Sequence, residues 1–346
     1  MKKIFLAKIS FLPVILIALT LITSSCEKDT DGSPENKPGT PVLKSVEPAQ
    51  GSGGAVVTVT GTGLGDIQTI VFDKNSIPTA VTSTLNTSTH ILFRVPTDAY
   101  GGDQNIILTN SKGKTLSVPF NVVALPIVNT AFPTDFQAGS TVTITGNNLD
   151  DVSEVIIEGT TDAATIVSQT RKSLVLTMPT STADKGKLVL TNLSGKDTTS
   201  FTFVNIDRAA KVFTDQFDSG FQSWSWGGAY TSSTDDFITG TSSLKCVFEA
   251  KKSWGGLQLG GGNIDLTGYR YFAFWIKGGT ADIGFNIWLN WAGSNTFTAP
   301  AGKWTYFQFD LLTTAGWTGL GSVNNVCFQI QGGGETVYID NITFIK

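Results

Sequence analysis

The chain predicts an all-β protein: two immunoglobulin-like β-sandwiches in series, followed by a C-terminal β-jelly roll. Three observations carry that expectation. Short alternating stretches such as VVTVTG, HILFRV and NIILTN are punctuated by Gly, Pro and Asn, as strands and their turns are. The segment beginning PVLKSVEPAQGSGGAVVTVTGTGL at Pro41 returns as PIVNTAFPTDFQAGSTVTITGNNL at Pro126, offset by 85 residues. Behind the repeat the composition changes, and all eight tryptophans lie there.

The first 25 residues read as an export signal. Lys2 and Lys3 precede an apolar run from Phe11 to Ile22 that is too short to cross a bilayer. Thr23-Ser24-Ser25-Cys26 resembles a lipobox, which implies cleavage before Cys26 and lipidation of its new N-terminus. The alternative is an ordinary signal peptide with an incidental cysteine. The acidic run EKDTD after Cys26 resembles the export tag of Bacteroidota-type surface lipoproteins. Residues 26–40 contain no large apolar side chain and read as a flexible tether.

Removing the leader takes away Lys2, Lys3 and Lys8, leaving 21 basic and 28 acidic residues, a net charge of −7. No Lys/Arg cluster stands out, so a nucleic-acid partner is not expected. Cys246 and Cys327 fall on opposite sides of their strands, in LKCVF and CFQIQ, and are expected to be free thiols. Neither CxxC nor a Cys/His metal spacing occurs.

Within the repeat, Pro41 matches Pro126, Pro48 matches Pro133, Gly54 matches Gly139, Gly61 matches Gly146 and Leu64 matches Leu149. The strand spacing is that of a small sandwich of about immunoglobulin size. This opening resembles the IPT/TIG domain family, and the resemblance places domains at 41–123 and 124–206. It implies spacers or interaction modules; neither contains a tryptophan or a recognisable site.

Residues 207–346 hold the eight tryptophans and five of the six tyrosines. Their strands (LKCVFEA, YRYFAFWIKG, IGFNIWLNW, WTYFQFDLL, NNVCFQIQG, TVYIDNITF) are separated by glycine-rich turns, with no sustained helical period. Two packed antiparallel sheets follow. FTDQFDSGFQSW, TGTSSLKCVFEA and VYIDNITF together resemble jelly-roll carbohydrate-binding modules.

In GFNIWLNWAGS, alternation turns Phe285, Ile287 and Leu289 inward, leaving Asn286, Trp288 and Asn290 on the other face. Gln329 and Gln331 are expected to join them, with Tyr271, Trp275 and Lys277 from a neighbouring strand. Indoles offer flat apolar surface to a sugar ring, and amides both donate and accept for its hydroxyls. Trp288 is read as a ligand contact, Trp275 as either contact or core, and Trp304 as structural. Of the loop residues Trp224, Trp226, Trp254 and Trp317, one or two should wall the site; Trp226 and Trp254 are the choices.

The only histidine, His90, lies in the first repeat, which excludes a His-based triad or metal site from the third domain. A glycoside hydrolase needs two carboxylates about 5–9.5 Å apart. The acids here sit mostly at turns and strand ends, with Glu249 the one to watch, so no enzyme is expected. The carbohydrate-module resemblance implies a structural calcium held by Asp215 and Asp340; a solvated acid at a strand end is the alternative. No other cofactor is implied.

The resemblances together imply a non-catalytic glycan-binding lipoprotein of a polysaccharide-utilisation system. It would be lipid-anchored in the outer membrane, facing outward beside a TonB-dependent transporter and that transporter's glycan-binding partner. Flat indoles suit a β-glucan. An adhesin for protein or host glycan is the alternative. Cys26→Ala is expected to move the protein from the membrane to the soluble fraction; continued sedimentation with membranes would refute the lipid anchor.

Overall fold

The computed structural model describes residues 36–346. The signal sequence, the lipidation expected at Cys26 and most of the tether lie outside the described residues. The described chain is all-β: two immunoglobulin-like sandwiches and a jelly roll, with short 3₁₀ turns as the helical elements.

The first sandwich pairs Pro38–Glu47, Val56–Leu64 and His90–Arg94 in one sheet. Its second sheet is built around Ile67–Phe72, Gly102–Asn110 and Thr115–Val122. Alternation buries Val57, Val59, Ile91 and Phe93 against Ile70, Phe72, Ile106, Leu108, Val118 and Phe120. Phe72 meets Phe93 edge-on across the layers at 6.5 Å.

The second sandwich repeats the plan. Thr141–Asn147 pairs with Ile127–Phe132 and Ser173–Thr177, over a core of Phe136, Val142, Ile144, Leu174, Leu188 and Leu190. The glycine that recurs at the end of VTxTG has a physical reason. A Cβ on Gly61 would stand 2.1 Å from the Val42 carbonyl oxygen, and one on Gly146 would stand 1.8 Å from that of Ile127. Neighbouring backbone fills the side-chain position in both repeats, so only glycine fits.

The jelly roll has two layers. One is the sheet Gly228–Ser233, Ser243–Phe248, Thr336–Ile345, Tyr271–Lys277, Trp304–Asp310, joined at Thr336–Ile345 by Ala210–Phe213. The other runs Gln222–Ser223, Gly256–Asp265, Ser322–Ile330, Ile283–Leu289, Ala292–Ala299. Between them lies one apolar core that includes Leu244, Cys246, Phe248, Leu257, Phe272, Phe274, Phe285, Phe328 and Phe344.

The second sandwich and the jelly roll belong to one compact unit spanning 123–346. Their contact covers the outer face of the Tyr271–Lys277 strand. Val204 packs with Ala273, Ile345, Tyr271 and Tyr306. Trp275, only 4% exposed, lies edge-on to Phe132 at 5.5 Å and donates its Nε1–H to Asp135 Oδ2 at 2.8 Å. Asn341 Nδ2 donates to the same oxygen at 3.0 Å. Asp135 Oδ1 has no hydrogen-bond partner among the described residues.

Desolvation pushes the Asp135 carboxyl from 3.8 up to about 6, against the lowering effect of the Trp275 and Asn341 hydrogen bonds. Because this folded-state value is raised, the group's stabilising effect is full below about pH 4 and is lost as pH rises through about 6. Asp135→Asn should remove that slope, which is on the order of 2–3 kcal/mol between pH 4 and 7. The check is urea unfolding at both pH values; an unchanged slope would mean that Asp135 is not the titrating group. Trp275→Ala should lower stability by about 3–5 kcal/mol in the same assay, as truncation of a buried aromatic does.

Candidate functional site

The Ile283–Leu289 strand fixes the site's parity. Phe285, Ile287 and Leu289 are fully buried, so Asn286 and Trp288 must point out of the sandwich. Opposite them on Ser322–Ile330, Gln329 pairs with Asn286 and Cys327 with Trp288. One strand further, Gly256 faces Gln329 and Gln258 faces Cys327. At the sheet edge the Trp226 amide bonds the Gly256 carbonyl at 3.0 Å and the Trp224 amide bonds that of Gln258 at 2.8 Å. Trp226, Gln329 and Asn286 thus lie along one row, and Trp224, Gln258 and Trp288 along the next.

The indoles form a continuous surface. Trp291 stands on a turn where Asn290 and Trp291 both have positive φ, +52° and +60°. Its ring lies 6.1 Å from Trp226 with planes inclined by 31°, and 5.9 Å from Trp288 at 44°. Trp224, Trp254 and Trp291 are 49, 54 and 53% exposed. The Trp254 carbonyl accepts from Trp226 Nε1 at 2.8 Å and from Gln329 Nε2 at 3.3 Å. Gln331 Nε2 donates to Asn286 Oδ1 at 2.8 Å.

Hydrogen bonding distinguishes the tryptophans without following the face strictly, since Trp226, in the indole surface, gives its Nε1–H to the Trp254 carbonyl. Trp275, Trp304 and Trp317 each give their Nε1–H to a protein acceptor: Asp135, Asp236 and the Ala292 carbonyl. Among the described residues, Trp224, Trp254, Trp288 and Trp291 have no such acceptor. A donor of this kind is left for water or for a ligand hydroxyl.

Several sequence expectations are corrected. Trp275 is not a site residue. Its strand lies in the opposite sheet, with Tyr271 and Lys277, and the second sandwich covers its outer face. Trp317, one of the four loop candidates for the wall but not one of the two chosen, is 1% exposed and packs on Phe272 and Phe309. Trp304 is structural but not in the core: parity turns it outward on the far sheet, where it holds Asp236. Asn290 braces its turn, donating to the Ser322 carbonyl at 2.8 Å and accepting from the Asn324 amide at 2.9 Å.

Trp291 is an addition, and Trp224, one of the four loop candidates, joins the two chosen from them. Trp224 was legible in principle, since Trp224-Ser225-Trp226 puts both indoles on one side of an extended segment. Trp291 was not, because its direction is set by the turn's positive φ rather than by alternation.

The surroundings are electrically quiet. Glu249 lies just past its strand and pairs with Lys252 at 3.0 Å. Glu335 accepts from Thr280, and Asp282 accepts from the Ala301 amide. Both cysteines are free and buried: burial pushes the Cys327 thiol up to about 12 and raises that of Cys246 further.

Asp215 and Asp340 converge on one loop from the two ends of the domain. Asp215 Oδ1 accepts from the Ser242 amide at 2.9 Å, and Asp340 Oδ2 from the Ile238 amide at 2.9 Å. Burial, with Asp135 and Asp215 nearby, pushes the Asp340 carboxyl up to about 8. No group of three or more acidic, His or Cys side chains able to hold a metal occurs among the described residues.

The IPT/TIG domain family matches residues 41–122 and 126–203, and the chain carries two such domains. No curated protein matches the chain in sequence. Among solved structures, it is similar to a surface glycan-binding protein from Prevotella bryantii, with a TM-score of 0.50, 14% identity, and coverage of 89% of this chain and 99% of that one. It is also similar to a protein of a xyloglucan utilization locus in Bacteroides uniformis, with a TM-score of 0.46, 18% identity, and coverage of 89% and 100%. At 14% identity the likeness to the Prevotella bryantii protein is one of fold.

Proposed function

We propose that this protein captures a neutral polysaccharide, best matched by a β-glucan, on the indole face of its jelly roll without cleaving it. The carrying observation is the Trp226–Trp291–Trp288 series, with Trp291 exposed between two half-buried indoles, beside Asn286, Gln329 and Gln331. Apolar ring faces on a sugar can stack there, while the free indole N–H groups and the amides meet its hydroxyls. A carboxylate pair for glycosidic cleavage has no counterpart on this face, since Glu249, Glu335 and Asp282 are held elsewhere. The description of the Prevotella bryantii protein as glycan-binding supports the reading.

On this reading the two IPT/TIG domains are spacers. A lipid on Cys26 would hold the chain at the outer membrane, beside a TonB-dependent transporter and its glycan-binding partner. No helix among the described residues is long and apolar enough to cross a membrane.

Affinity electrophoresis against neutral and anionic polysaccharides tests the ligand class, and calorimetry on variants tests the face. Trp288→Ala and Trp291→Ala should each remove about 1.5–3 kcal/mol of binding, roughly a tenfold to hundredfold loss. Asn286→Ala and Gln329→Ala should each cost about 0.5–1.5 kcal/mol, since their hydrogen bonds exchange with water. The melting temperature should hardly change. Normal binding by a Trp288→Ala variant that melts far lower would make this indole structural.

Calcium is a separate proposal. Asp215 and Asp340 would hold it, and it would supply the positive charge that a buried carboxylate lacks. Calcium should then raise the melting temperature at pH 8 relative to chelator; equal melting curves would reject it.

A further inference from the structure

Two glycines beneath the indole face differ from every structural glycine described above. A Cβ built on Gly256 would lie 2.5 Å from Trp226 Cζ2 and 2.6 Å from Cη2. One built on Gly260 would lie 2.4 Å from Trp224 Cε3 and 2.5 Å from Cζ3. In both cases the three nearest atoms all belong to the indole, whereas at Gly61 and Gly146 the nearest atom is a backbone carbonyl oxygen. Neither Gly256 nor Gly260 has positive φ, so an alanine there fits the backbone. At both positions the missing side chain makes room for the ring.

We infer that Gly256 and Gly260 are positioning residues for ligand binding: they form a side-chain-free floor on which Trp226 and Trp224 lie. The inference rests on the proposed glycan reading. A chain of sugars can touch several indoles at once only if their faces lie at compatible heights. Trp291 is held by its turn and Trp288 by its strand, so neither can follow a neighbour that rises. Trp226 is free to lie low because position 256 has no Cβ. Its Nε1–H, donated to the Trp254 carbonyl, then fixes the ring's rotation. A methyl group at 256 must lift or swing the ring, breaking that hydrogen bond and taking Trp226 out of level with Trp291.

A purely structural glycine would give a different result. Here the alanine meets only the movable end of a side chain. It also reduces the freedom of the unfolded chain, which offsets the lost indole hydrogen bond, so stability should change little. Affinity should fall.

The experiment uses the full chain with a soluble neutral β-glucan that the wild type binds. Calorimetry and melting are measured for Gly256→Ala, Trp226→Ala and the double variant. Gly256→Ala should bind roughly tenfold more weakly at an unchanged melting temperature, and its indole fluorescence should be more readily quenched by acrylamide. In the Trp226→Ala background the same alanine should cost nothing further, because its effect passes through the ring. Wild-type affinity in Gly256→Ala, or an equal loss in both backgrounds, would overturn the inference while leaving the glycan reading intact. Gly260→Ala with Trp224→Ala is the second cycle, and it decides the matter if Gly256→Ala melts low. A wild-type chain that binds no neutral glucan would instead overturn the glycan reading, and this inference with it.

Discussion

The site depends on one constraint: a strand has two faces, and the core claims one of them. Phe285, Ile287 and Leu289 are fully buried between the jelly-roll sheets, which leaves Asn286 and Trp288 only the outer side. The same rule on the neighbouring strand buries Val326, Phe328 and Ile330 and turns Gln329 outward beside Asn286. A slip of one residue would exchange the two sets, exposing three large apolar side chains at about 1.5–3 kcal/mol each. The binding residues are therefore held in register by a core they do not belong to.

Parity decides which side a residue faces but not what it meets there. Trp275 and Trp288 are both turned outward, each from a strand with an apolar inner face. One is buried and the other offers its ring to solvent, because the second sandwich covers one sheet and not the other. The buried indole brings a donor that needs an acceptor, and Asp135 supplies it. That carboxylate is in turn desolvated, with one oxygen lacking a hydrogen-bond partner among the described residues, so the contact that joins the two domains also makes their stability depend on pH. Trp224, Trp254, Trp288 and Trp291 have no such acceptor among the described residues, while Trp226 keeps its own at the Trp254 carbonyl.

This divides what was legible in the sequence from what was not. Alternation and turn residues specify the all-β class, the repeat gives the two IPT/TIG domains, and the free thiols follow from the parity of Cys246 and Cys327. The outward set on one strand, Asn286 and Trp288 with Gln329 opposite, was legible for the same reason. Sheet order was not. Nothing local in YRYFAFWIKG says that its strand lies in the layer away from IGFNIWLNW, so alternation alone puts Trp275, Tyr271 and Lys277 on the wrong face. Trp317 follows another logic: Gly and Ser neighbours suggest a loop, and the loop folds its indole into the core against Phe272. Trp291 required the turn geometry at Asn290, which in turn rests on hydrogen bonds to residues 322 and 324.

A preorganised face also explains how modest contacts can hold a polymer. Binding is opposed by whatever must be ordered at the moment of contact, and each immobilised side chain costs about 0.5–1.5 kcal/mol. Here the ordering is done during folding. Trp226 lies on a glycine floor with its N–H bonded to the Trp254 carbonyl, and that carbonyl also holds the amide of Gln329. Trp291 is fixed by a turn that Asn290 braces. Asn286 and Gln331 orient each other. Indole stacking and amide hydrogen bonds can then act with little entropic loss on the protein's side. The strictness of the fold below the face is what makes a shallow, uncharged surface able to bind.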